Sequence, residues 1–264
     1  MLQKTIRGPV SRKGTGLHSG KESLIELLPA KENSGICFIS KTGRVPALVP
    51  SVTGTQRGTS LGAFITVEHL LSAAYGLGIT NLDVKLEGAE PPAFDGSALE
   101  YVRMIKEAGI LEQEISAPFV EIKKEFRIEE KGASITAAPY EGLIIECGLD
   151  FPGSFVGKQS ASFDALSDDF EKEIAPARTF GFLEEADRLR EAGLALGASF
   201  DNAVVILKDG YSCPLRFPNE LARHKILDIM GDMALSGKRI KGKIVSEKAG
   251  HRLNAKLAER ILNA

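Results

Sequence analysis

Apolar and polar positions change period several times along the chain. Short apolar runs at residues 23–28 and 35–39, bounded by Gly, Asn and Pro, predict strands. Residues 61–79 are apolar at most positions and nearly of membrane length, yet Glu68 and His69 stand inside the run. At a bilayer centre each would cost about 2–3 kcal/mol or more. The run therefore reads as a buried helix carrying function, over about residues 67–75, with Thr66 as N-cap and Gly76 or Gly78 as its stop. Residues 81–87 alternate with period two, a half-buried strand. A turn at 91–97 leads into a second helix over 98–108, ending at Gly109.

Residues 113–118 are polar and then punctuated by proline, which predicts a domain boundary and two units, 1–116 and 117–264. Beyond it strands are predicted at 119–122 and 142–147, and a loop-rich stretch with one strand at 153–169. A helix over 183–192 stops at Gly193. A strand at 203–207, a long helix over 218–235, a strand at 240–246 and a terminal helix from about Asn254 complete the pattern. The amphipathic segment 255–261 reads as a helix that docks on the body of the protein. Both units run strands first and helices after, which suits two α+β layers facing each other. No residue-level repeat relates them.

Composition narrows the function classes. With 43% hydrophobic and 26% charged residues the chain is globular rather than disordered or fibrous. Thirty-three basic residues against 35 acidic ones leave a net charge of −2, no footprint for nucleic acid or anionic membranes. Cys37, Cys147 and Cys213 cannot all pair and none forms a CxxC spacing, which argues for a reducing compartment. Residues 1–7 lack the apolar core of a secretory signal.

The four histidines concentrate the candidate chemistry. His224 and Asp228 stand four apart on the long helix, on one face, and Asp232 extends the stripe by a turn. Imidazole plus carboxylate suits a divalent ion, but the spacing equally fits a hydrogen-bonded His–Asp pair. His69 beside Glu68 cannot chelate the same ion with it, since neighbours on a helix diverge by about 100°. They can divide labour, the imidazole on a metal and the carboxylate taking a proton from water; a surface Glu beside a core His fits as well. His251, after Gly250 and ahead of the terminal helix, is placed in a loop, where it can protonate a leaving group or be an ordinary surface imidazole. His18 lies in Gly14-Thr15-Gly16-Leu17-His18-Ser19-Gly20-Lys21, superficially a phosphate loop. Thr15 and Glu22 stand where that loop needs Gly and Ser or Thr, so its glycines read as turn formers.

Taken in order, seven segments are more specific than any one of them: residues 14–20, 66–70, 94–97, 177–182, 197–202, 223–228 and 250–254. Together they closely resemble the UDP-3-O-acyl-N-acetylglucosamine deacetylase family, zinc amidases of lipid A biosynthesis. The resemblance implies an α+β fold of two domains with similar topology, each a sheet layer with helices, stacked so that the helices are sandwiched between the two sheets. It implies His69, His224 and Asp228 as ligands of Zn2+, with Fe2+ also accepted by this set. By the same resemblance Glu68 is the general base, His251 stabilises the oxyanion and protonates the amine, Asp232 orients His251, and Thr179 assists at the oxyanion. Lys225, Phe180, Phe182, Leu194 and Gly197 are implied on the substrate side, with Leu189 and Leu196 as further walls of an acyl passage at about 183–197. The implied substrate is a nucleotide-sugar lipid, handled by a cytoplasmic monomer with no nucleic-acid partner and no integral membrane insertion. Ala198, Pro214 and Ala249 replace residues usual in the family, and none of these removes a catalytic group. An amidase for another acylated sugar and a non-catalytic nucleotide-sugar binder are the competing classes; intact Glu68 and His251 speak against the second.

Overall fold

The structure is a computed structural model describing residues 1–41 and 43–263. The first half runs through β1 (Leu2–Ile6), β2 (Val10–Thr15), β3 (Glu22–Pro29), β4 (Ile36–Ser40), β5 (Gly43–Pro46), β6 (Val52–Gly54) and β7 (Ser60–Leu61). Helix α1 (Glu68–Gly76), β8 (Leu82–Glu87), α2 (Leu99–Ala108) and β9 (Ile110–Ser116) follow. The second half opens with β10 (Phe119–Glu121), β11 (Phe126–Glu130), β12 (Ala133–Ala138), β13 (Leu143–Phe151) and β14 (Gly157–Asp164). After these come α3 (Phe170–Glu173), β15 (Phe180–Phe182), α4 (Ala186–Glu191), β16 (Val204–Ile206), α5 (Glu220–Ala234), β17 (Arg239–Glu247) and α6 (His251–Leu262).

The first main sheet has the order β2-β3-β8-β4-β5 and the second β11-β12-β17-β13-β14, with β10 added beside β17. Central β8 is antiparallel to β3, with Val84 opposite Leu27, and parallel to β4, with Val84 beside Phe38. Central β17 repeats this, antiparallel to β12 at Ala137↔Ile244 and parallel to β13 at Ile145↔Ile244. A parallel pair needs a crossover, and the corresponding crossovers carry α1 in the first half and α5 in the second. The two sheets therefore share one topology although their side chains show no repeat.

Helix α5 packs on β13 and β14 on one side and on α1 on the other. Every residue of α1 from Glu68 to Tyr75 is buried, so this helix has no solvent face. The helices thus form the inner layers, and the apolar side chains of both halves join one continuous core. Closest approach falls at Gly231, where a methyl group would stand 2.1 Å from the Glu68 carbonyl oxygen. Only a residue without a Cβ lets the first turn of α1 lie this near Asp228 and Asp232.

Local signals were legible to different degrees. Helix α1 ends as the glycines predict: Gly78 adopts φ +76, its N–H reaches the Tyr75 carbonyl and that of Ile79 the Ala74 carbonyl, the double closure of a helix C-terminus. Its start differs from expectation. Val67 occupies the cap position without a side-chain bond, while Thr66 sits at φ +56 and gives its hydroxyl to Glu90. Residues 113–116 lie in β9, which pairs with β1. The helix expected over 183–192 divides into a 3-10 turn, Leu183–Glu185, and α4. The terminal helix begins at His251, so that histidine opens a helix instead of lying in a loop.

Candidate functional site

Successive turns of α5 present His224, Asp228 and Asp232, all buried. The first turn of α1 brings Glu68 and His69 against them, and the first residue of α6 adds His251. Asp228 Oδ1 lies 3.4 Å from His224 Nε2 and 3.8 Å from His69 Nε2. The two imidazoles meet edge to face with centroids 5.0 Å apart. One ligand atom from each of His69, His224 and Asp228 falls within 4.8 Å of the others, and Asp228 Oδ1 is buried with no hydrogen-bond partner. A buried carboxylate oxygen left unpaired between two imidazole nitrogens is the signature of a cation site. His224 Nδ1 lies 3.0 Å from the Ala177 carbonyl, which makes that nitrogen the N–H and leaves Nε2 its lone pair.

Electrostatics divides these groups by role. Burial, with His224 alongside, pushes His69 down to about 3, and burial lowers His224 too, so both imidazoles are neutral donors of electron pairs. Burial opposes ionisation of Asp228, but Lys225, His224 and His251 hold it below the usual carboxylate range. Lys225 Nζ bonds Asp228 Oδ2 at 2.7 Å and stands 5.3 Å from the centre of the Phe180 ring. Glu68 is raised to about 7, chiefly by burial and then by Asp228 and Asp232, against the pull of His251. His251 moves the other way: burial disfavours its charge, yet Asp232, Asp228 and Glu68 lift it to about 9. A carboxyl near neutrality thus faces a protonated imidazole, Oε1 to Nε2 at 4.0 Å.

Glu68, His69, His224, Lys225, Asp228 and His251 line a cleft of about 600 Å3 together with Thr179, Phe180 and Phe182, and Asp232 is buried outside its walls. Phe151 contributes a further ring to it, 5.4 Å from Phe182 and 6.1 Å from Phe180 between centroids. At residues 179–182 the cleft meets a second cavity of about 420 Å3, whose walls include Leu183, Ala186, Leu189, Ala198, Phe200 and Val205. Leu189 is one of these walls. Leu194, Leu196 and Gly197 do not line either space. Leu196 is exposed, and Gly197 is instead a contact point, where a Cβ would come 2.2 Å from the Gly16 carbonyl oxygen. Thr179 is placed by its own N–H, bonded to the Gly96 carbonyl at 2.8 Å.

Sequence reasoning missed Thr59, which no spacing signals. Its N–H donates to Glu68 Oε2 at 2.9 Å and its hydroxyl to Asp232 Oδ1, tying the carboxylates of α1 and α5 together. Asp150 and Lys248, paired at 3.1 Å, also reach the cleft unannounced. Among the described residues no helix is long and apolar enough to cross a membrane.

The chain is similar along its length to proteins of one family. Residues 3–263 match the family model described as UDP-3-O-acyl N-acetylglycosamine deacetylase. A UDP-3-O-acyl-N-acetylglucosamine deacetylase of Nitratidesulfovibrio vulgaris is 42% identical over 266 residues, covering 96% of this chain and 85% of the relative. Proteins of the same name from Coxiella burnetii and Brucella melitensis are each 39% identical, over 98% and 99% of this chain and 90% and 95% of theirs.

Proposed function

The chain belongs to the UDP-3-O-acyl N-acetylglycosamine deacetylase family, and from that premise we propose how its own residues carry out the reaction. The protein hydrolyses the N-acetyl group of UDP-3-O-acyl-N-acetylglucosamine in lipid A biosynthesis, releasing acetate and a free amine. The single observation that carries the assignment of roles is the convergence of His69, His224 and the unpaired Asp228 Oδ1, with Glu68 and His251 beside them, 4.0 Å from each other.

His69, His224 and Asp228 hold the metal of this metalloenzyme, and two neutral imidazoles with one carboxylate suit Zn2+, with Fe2+ an ion the same set accepts. When bound, the ion supplies a Lewis acid that polarises the amide carbonyl and acidifies water. Glu68, poised near 7, takes the proton from the attacking water. The developing oxyanion is met by the Thr179 hydroxyl and the charged His251 ring. His251 then delivers its Nε2 proton to the departing nitrogen, while Asp232 on Nδ1 keeps the ring oriented. Lys225, Phe180 and Phe182 border the substrate, and the apolar cavity beyond them takes the acyl chain. We read 1–116 and 117–264 as the two domains and the protein as a cytoplasmic monomer.

The test is metal analysis of protein purified without added metal, with deacetylation assayed before and after chelation. About one ion per chain and chelator-sensitive turnover are the expected results. Full turnover in metal-free protein would overturn the ligand assignment.

A further inference from the structure

The glycine-rich segment at 14–20 finds its explanation in a buried acid. Glu90 is 2% exposed and lines neither the cleft nor the apolar cavity. Its Oε1 accepts from the His18 N–H at 2.9 Å and the Thr66 hydroxyl at 2.8 Å, and its Oε2 from the Ser19 N–H at 2.7 Å. At Gly16 a Cβ would stand 2.4 Å from Oε2, so the loop closes on the carboxylate only because that residue is glycine. A loop shaped to cradle an anion therefore already holds one, supplied by the chain itself.

From this acid two lines of contact run to the site. Thr66, a β-branched residue at φ +56, immediately precedes the cap of α1, whose first residues are Glu68 and His69. Such a residue rarely adopts this conformation unless its surroundings hold it there. The hydroxyl bond to Glu90 does so, together with the Ile65 N–H bonded to the Ala89 carbonyl at 2.9 Å. On the other line, His18 Nδ1 accepts from the Ala195 N–H at 3.2 Å, so its Nε2 carries the hydrogen given to the Arg57 carbonyl at 3.1 Å. Arg57 precedes by two residues Thr59, the residue that holds both Glu68 and Asp232.

We propose that Glu90 is a positioning residue for the deacetylation, holding Thr66 in its left-handed conformation and so aiming Glu68 and His69 from the start of α1. This rests on the roles given above to Glu68 and His69. The carboxylate touches no reacting atom. Its effect is geometric, and a base or ligand displaced by a fraction of an ångström loses turnover steeply.

The experiment compares Thr66→Val, which deletes only the hydroxyl donor, with Thr66→Ser, which keeps it, and with Glu90→Gln. For each, kcat per bound metal ion, KM and Tm are measured on the full chain. For Thr66→Val and Glu90→Gln, kcat per metal ion falls about ten-fold or more with KM within about two-fold, while Thr66→Ser stays within about two-fold of the parent. The double variant Thr66→Val/Glu90→Gln is no slower than the slower of the two single variants, because both act on the same link. Parent-like kcat per metal ion in Thr66→Val, with only Tm lowered, overturns the proposal by making the contact merely structural. Should Glu90→Gln fail to fold, the Thr66 pair still decides. Glu68→Gln and His69→Ala are run alongside: if they keep parent turnover, the roles assigned to those residues fail, whatever Thr66→Val does.

Discussion

Asp232 Oδ2 lies 2.9 Å from His251 Nδ1, and this buried pair holds the imidazole charged through neutral pH. The sign follows from the charge: an anion beside the ring favours imidazolium and raises its pKa. A cation held by Asp228 works against that charge, so in the metal-loaded enzyme activity that needs His251 protonated is lost as pH rises through a value below about 9. Asp232→Asn removes the anion, and the basic limb of kcat/KM moves to lower pH. A basic limb unmoved in that variant would separate His251 from the titration. On the acid side Glu68 must be ionised, and a cation held by Asp228 favours ionisation, so in the metal-loaded enzyme the acid limb lies below about 7.

Glu68→Gln keeps the shape of the side chain and removes its basicity. Turnover falls by about 10²–10⁴, the usual worth of a positioned base, while metal content stays at the parent level. His224→Ala behaves differently, losing metal and activity together. Metal analysis of the two purified variants separates base from ligand, and full occupancy in His224→Ala would refute its ligand role.

Gly231→Ala tests the helix contact itself. The added methyl would stand 2.1 Å from the Glu68 carbonyl oxygen, a backbone atom that cannot swing aside. Overpacking of this kind costs about 1–3 kcal/mol, and here it also pushes Glu68 and His69 away from Asp228. Urea denaturation and chelator competition should both register the change. A variant with parent stability and parent metal affinity would mean that α1 and α5 part without cost.

Arg178, between Ala177 and Thr179, forms a buried ion pair with Glu220, with Nε to Oε1 at 2.8 Å and a second bond from Nη2 to Oε2 at 3.0 Å. Arg178→Ala leaves the Glu220 carboxylate buried without its cation, a loss of about 3–5 kcal/mol. Arg178→Ala/Glu220→Gln should recover part of it, because the stranded charge is gone. Denaturation midpoints of the three proteins decide, and equal destabilisation in single and double variants would contradict the pairing.

Much of this protein was determined within short stretches of its sequence. The spacing of His224, Asp228 and Asp232 sets one face of α5 because the helix repeats every 3.6 residues, whatever surrounds it. The closing of α1 at Gly76–Gly78 and of α2 at Gly109 was equally local, since it depends on which residues tolerate positive φ. The ordered motifs carried the family resemblance, and with it the fold class, before any contact was known. Tertiary structure alone decided the rest. Thr66 looked like a cap, but its φ of +56 takes it out of the cap position, which Val67 fills, and its hydroxyl donates to Glu90. That residues 113–116 form a strand depended on β1, which supplies backbone partners from the far end of the first half. The roles of Thr59, Glu90 and Gly231, and the cavity walls without Leu194 and Gly197, depend on groups distant in sequence meeting in space. Periodicity along one segment carries no record of what packs against it.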